Sequence, residues 1–161
     1  MGFILTFDEN LQHAKTPDAC WGALEMFAAT VVETRLFTVM TVDMQLLLAR
    51  RAYSNMPADY PVSGTKPITI DRWFDVVHRQ KKIFVANTIA DIAKVFPDHE
   101  KIQSLSCGSV VNLPVIVADD LVATINLLHA EHFYTPQRVQ HIAEHLTGPA
   151  QQAYARALAL A

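Results

Sequence analysis

The sequence predicts an α+β domain, an antiparallel sheet with helices on at least one face. Two pairs of apolar, β-branched stretches carry that expectation: LFTVMTV with QLLLARRAY, and SVVNLPVIV with LVATINLLHA. Within each pair only a turn-sized gap separates the stretches, as in antiparallel hairpins. Helical signals bracket the pairs, with Thr16-Pro17 before the first and Thr135-Pro136 after the second. A length of 161 residues that are 51% hydrophobic suits one core, so residues 1–161 are expected to form one domain with terminal helical extensions.

The elements follow in order. Thr16 has the form of an N-cap and Pro17 of a first helical residue, after which Trp21, Leu24, Ala28 and Val31 recur at helical spacing. Asp43-Met44 turns the first hairpin. The stretch SNMPADYPVSGTKPIT, with Pro57, Pro61, Pro67 and Gly64, reads as a long, partly stiffened loop. RWFDVVH presents Trp73, Phe74 and Val77 on one face of a short helix, and IFVA is a short strand. Asn87 or Thr88 then caps a helix carrying Ile89, Ile92, Ala93 and Phe96, which ends near Pro97. A further helical turn or two runs through Ile102 and Leu105 and closes at Cys107-Gly108. After the second hairpin, turning at Ala118 to Asp120, Thr135-Pro136 opens a helix with a stripe of Val139, Ile142, Ala143 and Leu146. Gly148-Pro149 is expected to bend or interrupt it.

Charge and cysteine usage narrow the functions. Thirteen basic and 16 acidic residues give a formal net charge of -3, and the basic ones are scattered apart from Arg50-Arg51 and Lys81-Lys82. That argues against an extended nucleic-acid surface. Cys20 and Cys107 belong to no CxxC or CxxH arrangement, so neither a disulfide framework nor a thiolate zinc site is expected. The opening MGFILTFDENLQHAK has an apolar patch without a basic leader, and no stretch approaches the roughly 18 apolar residues of a membrane span. A cytoplasmic location with no membrane partner is the expectation.

The stretch CGSVVNLPVIVADDLVATINLLHAEHFYTPQRVQHI resembles the closing half of a GAF domain, and FVANTIADIAKVF is similar to the strand and helix that border that family's ligand pocket. The resemblance covers most of the chain from about Thr16. It implies a central antiparallel sheet, terminal helices on one face, and a small-molecule pocket beneath a covering loop and short helices on the other. The family binds cyclic nucleotides, bilins, haem, aromatic acids and amino acids, so the fold leaves the ligand, and any cofactor, open. The dispersed Asn-Lys-Phe-Asp-Glu pattern of cyclic-nucleotide binders does not lie convincingly on this chain. Cys107 is followed by Gly108-Ser109 rather than by the histidine of bilin-attaching members. Members that reduce methionine sulfoxide use several pocket cysteines, whereas Cys20 here belongs to the first helix.

Taken residue by residue, the loop that carries Tyr53, Met56 and Tyr60 near Arg50, Arg51 and Lys66 suits either a pocket mouth or a loop packed on its own domain. Trp73 and Phe74 are adjacent and their rings cannot point the same way, so either they serve core packing alone or one enters the core and the other lines a cavity. Asn87 is an N-cap, or the start of a helix whose free N–H groups receive a carboxylate. Asn112 and Asn126 interrupt apolar strands; each amide is satisfied by backbone, turned to solvent or directed at a ligand. His129 ends a strand and His132 lies in the connection that follows. Asp119-Asp120 reads as hairpin chemistry rather than a metal motif. HIAEH matches the H-x-x-E-H zinc pattern, yet the stripe from Val139 to Leu146 turns His141 and His145 toward an edge or solvent. Cys107 follows the end of a helical segment, where the dipole favours the thiol, and reads as a small wall or core residue.

The expected ligand contacts are therefore Tyr53, Tyr60, Trp73, Asn87, Cys107, Asn126 and His129, with no catalytic residue or metal ligand assigned. The leading expectation is a regulatory module that binds a polar or carboxylated small molecule. It would act through a homodimer or a separate effector protein, because no DNA-binding, kinase or cyclase segment fits beside the domain in 161 residues. The alternative is a small GAF-like enzyme acting on a polar metabolite through pocket His, Cys or Tyr groups. A structural interaction protein is a third class, and it would have a closed interior, whereas the first two need a cavity with converging polar groups.

Overall fold

The computed structural model describes residues 6–161. Its first element is helix α1 at Phe7–His13, a terminal helical extension ahead of the helix that Thr16-Pro17 opens. Thr6 caps it by accepting the N–H of Glu9, and Asp8 and Glu9 lie in its first turn, where a helix favours negative charge. Helix α2 at Pro17–Val31 begins as expected, with the Thr16 hydroxyl accepting the N–H of Ala19, and buries Cys20, Trp21, Leu24 and Ala28.

Strands β1 (Leu36–Asp43) and β2 (Leu48–Ser54) form the first hairpin, and the Asp43 carboxylate accepts the N–H groups of Gln45 and Leu46 in the turn. The proline-containing loop holds a strand that its composition concealed: β3 at Thr65–Pro67 pairs with β2. Next come α3 (Arg72–Phe74), which runs into one π-helical turn at Asp75–Arg79, strand β4 (Phe84–Ala86), and helices α4 (Ile89–Ala93) and α5 (His99–Ser104). Thr88, not Asn87, caps α4. Strands β5 (Ser109–Val117) and β6 (Asp120–His129) form the second hairpin, around Ala118 and Asp119 at φ 50° and 69°. Positive φ at both positions is what a two-residue hairpin of matching twist requires.

All pairings are antiparallel, in the order β3-β2-β1-β6-β5-β4. Successive side chains alternate between the two faces and so divide the core. One face buries Phe37, Val39, Val111, Leu113, Ile125 and Leu127 against α2 and the terminal helix α6 (Pro136–Leu160). The other buries Leu36, Val110 and Leu128 with Tyr60, Val77, Ile92, Ile102 and Cys107 from the loop and short helices. Helix α6 runs through Gly148-Pro149 without the expected break. Pro149 cannot donate to the carbonyl of His145, but Ala150, Ala153 and Ala157 extend the buried stripe of Ile142 and Leu146, and that packing keeps the segment helical. Among the described residues no helix is long and apolar enough to cross a membrane.

Candidate functional site: a cavity with a polar floor

On the sheet face opposite α2 and α6 lies a cavity of about 250 Å³. Its floor is the alternate residues of four strands: Leu36, Thr38 and Met40 of β1, Arg51 of β2, Val110 and Asn112 of β5, and Thr124, Asn126 and Leu128 of β6. The segment from Lys66 to Trp73 crosses above it, and Val95 to Asp98 with Ile102 form a wall.

Two strand irregularities decide which side chains reach this floor. Val39 pairs with Tyr53 and Met40 with Arg51, so Ala52 is an extra residue in β2. The bulge lets Arg51 face the cavity while Tyr53, two positions on, faces α2. In the second hairpin Ile116 pairs with Leu121 but Val115 with Ala123, so Val122 is extra in β6. Beyond that bulge Asn112 stands directly opposite Asn126, which stands opposite Thr38.

These residues form a continuous hydrogen-bonded row. The indole N–H of Trp73 donates to Asn112 Oδ1 at 3.0 Å, Asn112 Nδ2 to Asn126 Oδ1 at 2.7 Å, and Asn126 Nδ2 to Thr38 Oγ1 at 3.1 Å. Asn112 and Asn126 are only 4% and 7% exposed, and each amide satisfies the other in a setting where an unpaired amide would destabilise the fold.

At the mouth the Arg51 guanidinium lies 4.9 Å and the Lys101 ammonium 4.8 Å from the centroid of the Tyr60 ring. The Tyr60 hydroxyl donates to Asp98 Oδ2 at 2.7 Å, joining the covering loop to the segment before α5. Burial, reinforced by the Asp98 carboxylate, raises the Tyr60 pKa well above the ordinary phenol value and keeps it a donor. Lys66 lies along the mouth with its ammonium 5.4 Å from the Phe96 ring centroid, and burial lowers its pKa against the opposing influence of Asp98 and Asp71.

Of the residues singled out by sequence, Tyr60, Trp73 and Asn126 line the cavity and four do not. The Tyr53 hydroxyl donates to Glu25 Oε1 at 2.5 Å on the helix side, because of the Ala52 bulge. Asn87 donates from Nδ2 to the carbonyl of Tyr134 and ties the end of β4 to the segment before α6. Cys107 is buried in the core outside the lining, and burial raises its thiol pKa. His129 belongs to the alternation of Ile125 and Leu127 and so faces away; its ring stacks on Phe133 at 3.8 Å. Its Nδ1 accepts the Ala130 N–H, leaving Nε2 to carry the ring proton 3.5 Å from Glu33. Polar lining residues outside the expected set include Thr38, Asp71, Asp98, Arg51, Lys66 and Asn112. The last three were visible as charged or interrupting residues, whereas Thr38, Asp71 and Asp98 are ordinary in type and spacing.

No protein-family model matches the sequence, and no curated protein does. Solved structures do match the architecture. The GAF domain/HD domain protein of Geobacter sulfurreducens is similar over 93% of this chain and 99% of that one, with a TM-score of 0.70 and 12% identity. This chain has the GAF fold. The GAF domain of a two-component sensor histidine kinase from Bacillus halodurans gives a TM-score of 0.67 at 12% identity, over 87% of this chain and 94% of that one. A phycocyanobilin-bound GAF domain from a cyanobacterial phytochrome gives 0.63 at 12%, over 97% and 96%. The resemblance in the last third of the sequence therefore holds for the fold: an antiparallel sheet with terminal helices on one face and, on the other, a loop and short helices.

Proposed function

We propose that this GAF chain is a regulatory module that binds a small polar organic molecule in the cavity above Asn112 and Asn126. The observation that carries the reading is the hydrogen-bonded row itself. Three polar side chains of the floor, Asn112, Asn126 and Thr38, are joined to Trp73 of the covering segment in an otherwise largely apolar cavity, an arrangement suited to orienting a ligand whose affinity comes from apolar walls. A site of about 250 Å³ suits a compact metabolite rather than an extended one. Occupancy would be passed on through a homodimer or a separate effector protein in the cytoplasm. Binding is favoured over turnover by His, Cys or Tyr groups because, among the described residues, the lining holds neither His nor Cys and its one tyrosine is kept protonated by burial and Asp98.

The test is native mass spectrometry of protein taken from its own cells, followed by denaturing release and identification of what is bound. Calorimetry with that compound then compares Tyr60→Phe and Asn126→Ala with the exposed control Gln152→Ala. Weaker binding in the first two alone is the expected result, and unchanged affinity in both, with the fold intact, rejects this placement.

A further inference from the structure

The direction of the hydrogen bonds along the floor constrains the ligand more narrowly than cavity shape does, an inference that rests on the binding function proposed above. An indole N–H can only donate, so Trp73 fixes Asn112 with its oxygen toward the indole and its NH₂ toward Asn126. Asn126 must then present oxygen to Asn112 and NH₂ to Thr38. Thr38 Oγ1 therefore accepts, and its own hydrogen must point elsewhere. No acceptor among the described residues takes it. One obligate donor thus polarises the whole row and leaves a free O–H at its far end.

That end lies toward the strands that carry the two basic residues of the lining. Thr38 is on β1, next to β2, which carries Arg51, and β3 beyond carries Lys66. Among the described residues neither cation forms an ion pair with a carboxylate. The two carboxylates of the lining, Asp98 and Asp71, accept the Tyr60 hydroxyl and the N–H of Phe74 and keep their charge, which acts on Lys66, whereas the Arg51 guanidinium donates only to the carbonyl of Pro61 and its buried Nε has no hydrogen-bond partner among the described residues. We infer that the cavity takes a small, mainly apolar anion, a carboxylate, with its oxygens toward Thr38, Arg51 and Lys66 and its body against the apolar walls. Burial lowers the pKa of Lys66, and an anion placed beside the ammonium would oppose that shift.

Three probes of nearly identical shape test this: benzoate, benzamide and benzamidinium, which present an anionic acceptor, a mixed amide and a cationic donor. Titrations monitored by amide chemical shifts in the full chain should rank benzoate first, about tenfold or more tighter than benzamidinium. Thr38→Val, which keeps the branched shape, should weaken benzoate and leave benzamidinium unchanged. Trp73→Phe should narrow the gap between them, because without the indole donor both amides are free to reverse. A mere loss of packing would weaken all three alike. Equal or reversed ranking in the wild type overturns the inferred polarity while leaving a ligand-binding cavity in place. Failure of all three to perturb cavity residues overturns both readings for ligands of this size.

Discussion

Asn112 and Asn126 were recognisable in the sequence as amides within apolar strands, but not as partners, because nothing in the sequence marks the extra residue at Val122 that sets them opposite one another. Their mutual dependence is measurable. Asn112→Ala removes an acceptor from Trp73 and a donor from Asn126, and should lower stability by about 1–3 kcal/mol in urea denaturation. Adding Asn126→Ala should cost less than the sum of the single changes, as expected of residues in one network. Strict additivity would mean that the row is not coupled. His129 illustrates information that was in the sequence: three positions separate it from Asn126, so within one strand the two must face opposite ways. Cysteine chemistry can be checked at the same scale. Cys20 and Cys107 are buried with pKa values raised by that burial, so a colourimetric thiol reagent at neutral pH should label both slowly in the native protein and rapidly in denaturant. Fast native labelling of Cys107 would contradict its placement in the core.

Bulges and terminal residues govern the elements. Hairpins, capped helices and apolar stripes were legible because each has a local signature, as at Thr16-Pro17 and Thr135-Pro136. Strand β3 was not, since three exposed residues in a proline-rich loop have no periodicity and are held only by pairing with β2. Tyr53 was misplaced for a related reason: the Ala52 bulge reverses its facing, and alanine is unremarkable in any strand. The continuity of α6 shows tertiary packing outweighing a local breaker. It also yields a clean test at Gly148, which is exposed, helical and without any neighbour within 4 Å of an added Cβ. Gly148→Ala should stabilise the protein by roughly 0.5–1 kcal/mol, read from the thermal or urea midpoint. A destabilised variant would indicate that the helix bends there in solution.

For the molecule as a whole, acid should be more damaging than mild base. His78 and His129 both have pKa values lowered below the ordinary 6.5, chiefly by burial. Each is therefore more readily protonated in the unfolded chain, and protonation favours unfolding as pH falls through about 6.5 toward the folded-state values. Urea midpoints should fall over that interval, and His129→Gln should flatten part of the dependence. An unchanged slope would mean that His129 is not the group responsible. The sheet that joins the two cores ends on each side in a strand of only three residues, and the outer one, β3, is Thr65, Lys66 and Pro67. A charged lysine and a proline without an N–H make a poor template for another chain, so edge-to-edge aggregation is discouraged at the same strand that brings Lys66 to the cavity mouth. Neutralising that lysine to tune recognition would also weaken the guard against fibrous self-association.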